Sequence, residues 1–308
     1  MKHLVWAAIG ALLAASPVRG EADPEWQAER FVRIGHYQCA CQQGNFEANV
    51  QTLLRGLERA RAEQVDILSF PESLLTGYFA QEAQARQHSL SIDSKEFQSV
   101  LQRTAGFDIL FMVGFNEHRD GRLRNTVAVI ERGKLLGRYS KAMPVFGYFE
   151  PGREFPVFTK KQLTFGVIIC ADGGFIEPAR ILTLKGARLI FAPHYNFVGD
   201  PVQHYVMVRN DHIARAVENG VYFLRGNNVV AGRKLEGLPD GGFGYGDSYL
   251  LDPNGQVVAA AGLYQEYLMT YTLDTEMKFR NRPEWRSRKS AALLPILQKT
   301  IEQTSAPK

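Results

Sequence analysis

Apolar strand-like segments alternate with amphipathic helical segments along almost the whole chain, and no low-complexity linker separates them. Residues 65–70 are predicted as a strand that Pro71 ends. A helix is predicted to begin at residues 44–45, because apolar residues recur every three to four positions after them. Chains that alternate strands and helices fold into α/β structures, since the helices cover the faces of a sheet. The pattern therefore predicts a single α/β domain over residues 23–308.

Further strands are predicted from short apolar runs that end at glycine, proline or polar turn residues. They cover residues 31–37, 109–114, 126–131, 135–141, 164–170, 187–192, 221–224, 248–251 and 268–273. Further helices are predicted at residues 178–185 and 203–219. The succession Asp-Pro-Asn-Gly at residues 252–255 separates two apolar runs, which predicts a hairpin turn.

The composition excludes several classes of protein. Hydrophobic residues make up 45% of the 308 positions and charged residues 22%, which is typical of a globular protein rather than a disordered chain or a polytopic membrane protein. The 36 basic and 32 acidic residues are interspersed, so the net charge of +4 indicates no nucleic-acid partner. Three cysteines are too few for a disulfide framework, and the fold must therefore depend on a packed core.

The N-terminal segment differs from the rest of the chain. Lys2 precedes an uncharged apolar run at residues 4–15, and Gly20 and Ala22 are the small residues that a signal peptidase requires. This run is too short for a membrane helix, which needs about 20 apolar residues. We therefore expect residues 1–22 to be a cleavable export signal and the mature protein to be periplasmic or secreted, with no stable membrane span. The alternative is a buried N-terminal helix.

Three predicted strand ends carry reactive side chains, namely Glu72, Lys141 and Cys170. Catalytic groups often follow strands, because the sheet holds the backbone while the loop leaves the side chain open. A thiol becomes a nucleophile when a base removes its proton, and a buried carboxylate with a raised pKa can act as that base. A nearby lysine stabilises both the thiolate and the oxyanion that forms on attack. The glycine pair after Cys170 allows a sharp turn that leaves the backbone amide of Ala171 free to donate to that oxyanion.

These strand ends lie in three motifs: Phe-Pro-Glu at residues 70–72, Tyr-Ser-Lys at residues 139–141 and Ile-Cys-Ala-Asp-Gly at residues 169–173. In this order, over most of the chain, they resemble the nitrilase superfamily of carbon–nitrogen hydrolases. The resemblance implies a four-layer α-β-β-α sandwich, assembled as a homodimer or larger homo-oligomer, with no metal or organic cofactor. It also implies that the cysteine is the nucleophile, the glutamate the general base and acid, and the lysine the group that stabilises the tetrahedral intermediate.

Family members often have a second glutamate in the loop after the lysine, and this sequence departs from that pattern. Between Lys141 and Pro151 the only carboxylate is Glu150. Either Glu150 has taken the role within a shortened loop, or the role is missing. In the first case its carboxylate is expected within hydrogen-bond distance of Lys141 or Glu72, and Glu154 is the competing residue.

The sequence predicts the chemistry but not the substrate. We predict an exported thiol hydrolase that acts on a small amide through a Cys170 thioester. N-carbamoyl compounds and nitriles are alternative substrates of the same site, and a catalytically silent binding or scaffold protein is the alternative of another class. Five residues are expected either to line the substrate pocket or to be ordinary loop residues: Tyr78, Tyr148, His194, Tyr195 and Asn196. The spacings of His194, His204 and His212 match no zinc site.

Overall fold

Two six-stranded sheets form the centre of the molecule, of which the computed structural model describes residues 28–196, 201–229 and 244–305. The predicted export signal at residues 1–22 lies outside the described residues. The first sheet contains β1 (Phe31–Gln38), β2 (Ile67–Ser69), β3 (Leu110–Arg119), β4 (Arg122–Glu131), β5 (Lys134–Ser140) and β12 (Tyr267–Asp274). Its strand order is β12-β1-β2-β3-β4-β5, in which β1, β2 and β3 run parallel.

The second sheet contains β6 (Val157–Lys160), β7 (Leu163–Val167), β8 (Leu189–Pro193), β9 (Tyr222–Gly226), β10 (Tyr249–Leu251) and β11 (Val257–Ala260). Its strand order is β11-β10-β9-β8-β7-β6, in which β7, β8 and β9 run parallel. The predicted turn at residues 252–255 joins β10 to β11 and is confirmed. Gly255 adopts a φ of +83° there, a conformation that glycine reaches without strain.

The described helices are α1 (Phe46–Ala62), α2 (Glu82–Gln87), α3 (Lys95–Thr104), α4 (Ile176–Leu184), α5 (Pro201–Asn219), α6 (Pro283–Ala291) and α7 (Leu294–Ser305). A 3₁₀ helix over Cys170–Gly174 precedes α4. The buried residues of α1 and α3 pack against the first sheet, whereas α4 and α5 lie against the second.

Successive residues of the central strands point to opposite sides of the first sheet. On β2, Ile67 belongs to the core cluster shared with the second sheet, whereas Leu68 belongs to the cluster formed with α1 and α3. Leu110 and Phe111 on β3 divide in the same way. This period of two buries both faces of the sheet, one against the other sheet and one against helices. The expected four-layer α-β-β-α sandwich is confirmed.

The strand predicted to end at Cys170 is too long at its C-terminal end. The strand expected over residues 164–170 ends at Val167, and Cys170 begins the 3₁₀ helix with a φ of +46°. The chain leaves the strand direction because the Asp172 carboxylate accepts a hydrogen bond from the Ile169 backbone N–H at 2.9 Å. The sequence patterns did not predict β6, α2, α3, α6 and α7.

Candidate active site

Glu72 lies on a tight turn just beyond β2. Its backbone N–H donates to the carbonyl of His194 at 3.2 Å, which ties this turn of the first sheet to the end of β8 in the second. The next residue, Ser73, has a φ of +53°. The turn packs so closely on β3 that a Cβ atom at Gly114 would lie 2.3 Å from the Ser73 nitrogen. The absence of a side chain at Gly114 therefore allows Glu72 its position.

The Glu72 carboxylate and the Lys141 ammonium form a fully buried ion pair. Glu72 Oε1 accepts from Lys141 Nζ at 2.8 Å and from Asn125 Nδ2 at 2.6 Å, and Oε2 accepts from the Tyr195 backbone N–H at 3.0 Å. Lys141 Nζ also lies 5.8 Å from the centre of the Tyr78 ring. Burial disfavours the charged lysine, but the neighbouring charges, above all that of Glu72, outweigh it and hold the Lys141 pKa well above its usual value. Lys141 is therefore a cation in the folded protein.

Asp172 holds the turn that carries Cys170. Its Oδ2 accepts from the Ile169 backbone N–H at 2.9 Å and from the Tyr139 hydroxyl at 2.7 Å, and its Oδ1 accepts from the Met143 backbone N–H at 2.7 Å. Tyr139 and Met143 flank the segment that contains the lysine. A single buried carboxylate thus fixes the cysteine turn against the lysine loop.

The Cys170 thiol is neutral at rest. Burial raises its pKa to about 12, and the nearby charges partly cancel, since Lys141 and Arg225 lower the pKa whereas Glu72 and Asp172 raise it. Attack by the sulfur therefore requires that a base take the thiol proton during the reaction. Within the described residues no hydrogen bond joins Glu72 directly to Cys170.

Cys170 opens onto a cavity of about 320 Å³. Four of the five predicted pocket residues line it, namely Tyr78, His194, Tyr195 and Asn196, and Ala171 lines it beside the cysteine. The aromatic rings of Tyr78 and Tyr195 stack at 5.6 Å and form one wall. This size suits a small organic molecule rather than a macromolecular segment.

Tyr148 is the predicted pocket residue that does not line the cavity. Its hydroxyl donates to the Phe79 carbonyl, and its ring stacks on Phe146 with ring centres 5.6 Å apart. Phe146 itself lines the cavity, so Tyr148 supports that wall from behind.

Of the two alternatives for Glu150, the first required its carboxylate to lie within hydrogen-bond distance of Lys141 or Glu72, and the structure places it elsewhere. Its carboxylate accepts from Arg122 at 2.9 Å and its side chain is 36% exposed. Glu154 is exposed, and within the described residues neither carboxylate lies within hydrogen-bond distance of Lys141 or Glu72. Both line a separate surface cleft.

The backbone explains why the short loop cannot bring Glu150 inward. The Gly152 N–H donates to the Lys141 carbonyl at 2.8 Å, so the loop closes immediately behind the lysine. A Cβ atom at Gly152 would lie 2.0 Å from the Ser140 carbonyl oxygen. Only glycine, which has no Cβ atom, therefore fits at this position. Glu150 donates its own N–H to the Leu123 carbonyl at 2.8 Å, which holds it against the start of β4.

Three buried polar residues of the site were missed or given no role by sequence analysis. Asn125 donates to Glu72, Asp172 orders the cysteine turn, and Arg225 contacts Asn196. Arg225 follows an apolar run on β9, and a charged residue in such a run is the signal that identifies it, whereas Asn125 lies between Arg124 and Thr126 on β4 and gives no such signal.

The histidines of the cavity form no metal centre. The rings of His194 and His212 lie 5.0 Å apart, and burial lowers the pKa of both well below the usual value, so both are neutral. Within the described part of the chain, no group of three or more His, Cys, Asp or Glu side chains is placed to hold a metal ion. Among the same residues, no helix combines the length and apolar character needed to cross a bilayer.

The fold and the site define an α/β protein with a cysteine beside a buried lysine–glutamate pair. The family model described as carbon-nitrogen hydrolase matches residues 33–278, and the chain belongs to this family. N-carbamoylputrescine amidase of Solanum lycopersicum is 28% identical over 280 residues, which cover 84% of this chain and 91% of that protein.

Two further similarities differ in extent. Glutamine-dependent NAD(+) synthetase of Thermotoga maritima is 30% identical over 250 residues, which cover 77% of this chain but 41% of that protein. The chain therefore spans about two fifths of the length of this relative. An amidase from Nesterenkonia sp. has the same fold, with a TM-score of 0.67 at 21% identity over 85% of this chain and 95% of that one.

Proposed function

We propose that the protein is an amidase that cleaves a small amide through a thioester on Cys170. The observation that carries this proposal is the position of Cys170, which opens onto a cavity beside the buried Glu72–Lys141 ion pair. The name of one relative, N-carbamoylputrescine amidase, supports amides and N-carbamoyl compounds as the first substrates to test.

Each residue of the site has its own step in the proposed hydrolysis. Cys170 Sγ attacks the carbonyl carbon while its proton passes to Glu72, and Lys141 with the Ala171 backbone N–H stabilises the oxyanion. Glu72 then gives the proton to the departing nitrogen, which leaves as the amine or as ammonia. Its departure leaves the acyl group on Cys170 as the thioester. A water molecule that Glu72 deprotonates attacks the thioester, and the released thiol regains the proton.

Carbamoyl compounds and nitriles are the alternative substrates, and a silent binding protein is the alternative of another class. Ammonia release from purified protein separates them when primary amides, glutamine, ureido compounds and nitriles are compared at equal concentration. Turnover is expected to be fastest with an amide. Absence of turnover across the whole panel, with Cys170 reduced, would contradict the hydrolase proposal.

The cavity also carries a carboxylate outside the reacting set, which favours amides with a protonated amine. Asp211 lines the cavity, and its Oδ2 lies 3.6 Å from the position of a Cβ atom on Gly174, at the end of the cysteine turn. Its carboxylate forms no hydrogen bond or salt bridge with the other described residues. Burial raises the pKa of Asp211 and the charge of Arg215 lowers it, whereas the neighbouring His204 and His212 have pKa values lowered by burial and carry no compensating charge.

Asp211→Asn is expected to lower kcat/KM for a cationic amide by roughly tenfold, because a hydrogen bond to a charged group contributes about 1.5–3 kcal/mol. The neutral amide of the same length should be cleaved at the wild-type rate. Glu177→Gln, which removes an exposed carboxylate on α4 outside the cavity, is the matched control. Equal losses for both substrates would contradict recognition of the positive charge.

We also propose that residues 1–22 are removed during export, as the apolar run and the small residues before the cut support. Protein recovered outside the cytoplasm should begin at Asp23 by N-terminal sequencing. Deletion of residues 4–15 should retain the protein in the cytoplasm. Exported protein that keeps Met1 would contradict a cleavable signal.

A homodimer or larger homo-oligomer is proposed as the assembled form. Several apolar residues on or beside α4 and α5 are at least 43% exposed, which supports an interface there: Phe175, Ile176, Leu184, Val206 and Met207. Burial of such residues against a second copy would remove apolar surface from water.

A further inference from the structure

Arg225 is the largest fully buried side chain among the described residues, and it lies on β9 in the second sheet. Its Nη1 donates to the carbonyls of Gly246 and Asp247, and its Nη2 donates to the Tyr245 hydroxyl at 2.9 Å and to Asn196 Oδ1 at 2.7 Å. The Asp247 carboxylate lies 3.8 Å from Nη1. It also accepts a hydrogen bond from another arginine at 2.9 Å, so it is shared between two cations.

The guanidinium determines which way the Asn196 side chain faces. Arginine has only donors, so the atom of Asn196 that faces Arg225 must be the carbonyl oxygen. The amide nitrogen then points the other way, and Asn196 Nδ2 lies 3.8 Å from Cys170 Sγ. The Asn196 backbone is fixed as well, because its N–H donates to Asn227 Oδ1 at 3.1 Å and to Asn228 Oδ1 at 2.9 Å.

We propose that Arg225 is a positioning residue that holds the Asn196 amide N–H towards the sulfur of Cys170, so that Asn196 stabilises the thiolate. The proposal deepens the proposed function and rests on Cys170 being its nucleophile. The reason is electrostatic, since an N–H donor gains strength as negative charge develops on its acceptor, and the contact shortens. In the resting thiol the same contact is long, as observed.

The surroundings of Cys170 make such a donor necessary. Burial raises the thiol pKa to about 12, and the charges of Glu72 and Asp172 act in the same direction. Lys141 opposes them, but its ammonium is already bonded to Glu72. Asn196 therefore supplies a directed N–H to the sulfur from the second sheet, where the charge of Arg225 also lowers the thiol pKa.

The test measures the reactivity of the thiol directly. Below the thiol pKa, the rate of alkylation of Cys170 by iodoacetamide is proportional to the thiolate fraction, so a rise of about one pKa unit lowers it tenfold. Asn196→Leu keeps the size of the side chain and removes the donor, and alkylation at a fixed, mildly alkaline pH is expected to slow roughly tenfold. Arg225→Lys keeps the charge but loses the planar guanidinium group that orients Asn196. It should therefore slow alkylation to a similar extent.

A combined variant distinguishes positioning from a general charge effect. If Arg225 acts through Asn196, adding Arg225→Lys to Asn196→Leu should cause no further loss. Additive losses, or alkylation of Asn196→Leu at the wild-type rate, would overturn the proposal. Tyr245→Phe removes another acceptor of the same Arg225 nitrogen without touching Asn196, and it should be alkylated like the wild type.

Two measurements keep the outcomes separate. Circular dichroism reports whether Arg225→Lys folds. If it does not fold, the alkylation rate of Asn196→Leu alone tests the proposal. Alkylation needs no substrate turnover, so a protein that hydrolyses no amide but shows the expected dependence on Asn196 would refute the amidase proposal and leave the positioning role standing. Normal hydrolysis with unchanged alkylation in Asn196→Leu would refute only the positioning role.

Discussion

Cys170→Ala is expected to abolish ammonia release while leaving the folded structure and its stability unchanged. The sulfur is the only group lost, and it is the atom that forms the thioester. Cys170 has a φ of +46°, a conformation that strains alanine as much as cysteine, so the substitution neither adds nor relieves backbone strain. Ammonia release and the thermal unfolding midpoint report the two effects separately.

Cys39→Ala is the matched control for this prediction. Cys39 is a free, fully buried cysteine in the core between the first sheet and α1. Its replacement should lower the free energy of unfolding by about 1 kcal/mol, because it leaves a small cavity, and should retain turnover. Rapid quenching of the wild type with substrate should trap an acyl group on Cys170. Residual turnover in Cys170→Ala would refute the thiol mechanism.

Glu72→Gln is expected to lower kcat by about 10²- to 10⁴-fold, since glutamine has the same shape but takes no proton from the thiol or from water. It should also destabilise the protein, because Lys141 loses the carboxylate that it faces at 2.8 Å in a fully buried position. Removal of one partner of a buried ion pair typically costs about 3–5 kcal/mol in the free energy of unfolding. Turnover kinetics and denaturant unfolding measure the two effects.

Glu150→Gln makes the same chemical change outside the site. The Glu150 pair with Arg122 is exposed, and such pairs contribute at most about 1 kcal/mol. Turnover and stability should therefore match the wild type closely. If Glu150→Gln slowed turnover as strongly as Glu72→Gln, the carboxylate would act in catalysis after all, and the placement of the loop would be wrong.

Much of the local structure was predictable because the signals lie within a few residues of one another. The apolar runs that predicted β2 and β3 and the Asp-Pro-Asn-Gly turn at residues 252–255 depend on neighbouring positions alone. The strand-end motifs also indicated Glu72, Lys141 and Cys170. The end of β7 was missed because an interaction between Asp172 and the Ile169 N–H, rather than the apolar pattern, bends the chain there.

The sequence by itself determined which side chains could do chemistry, and the packing of the two sheets decided which of them meet. Glu72 and Lys141 follow strands of the first sheet, whereas Cys170 and Asn196 follow strands of the second, beside Arg225 on β9. Hydrogen bonds that join the two sheets, such as 3.0 Å from the Tyr195 backbone N–H to Glu72 Oε2 and 2.7 Å from the Tyr139 hydroxyl to Asp172 Oδ2, exist only when the sheets lie face to face. No local pattern encodes such contacts, because their energy depends on burial that the whole fold creates.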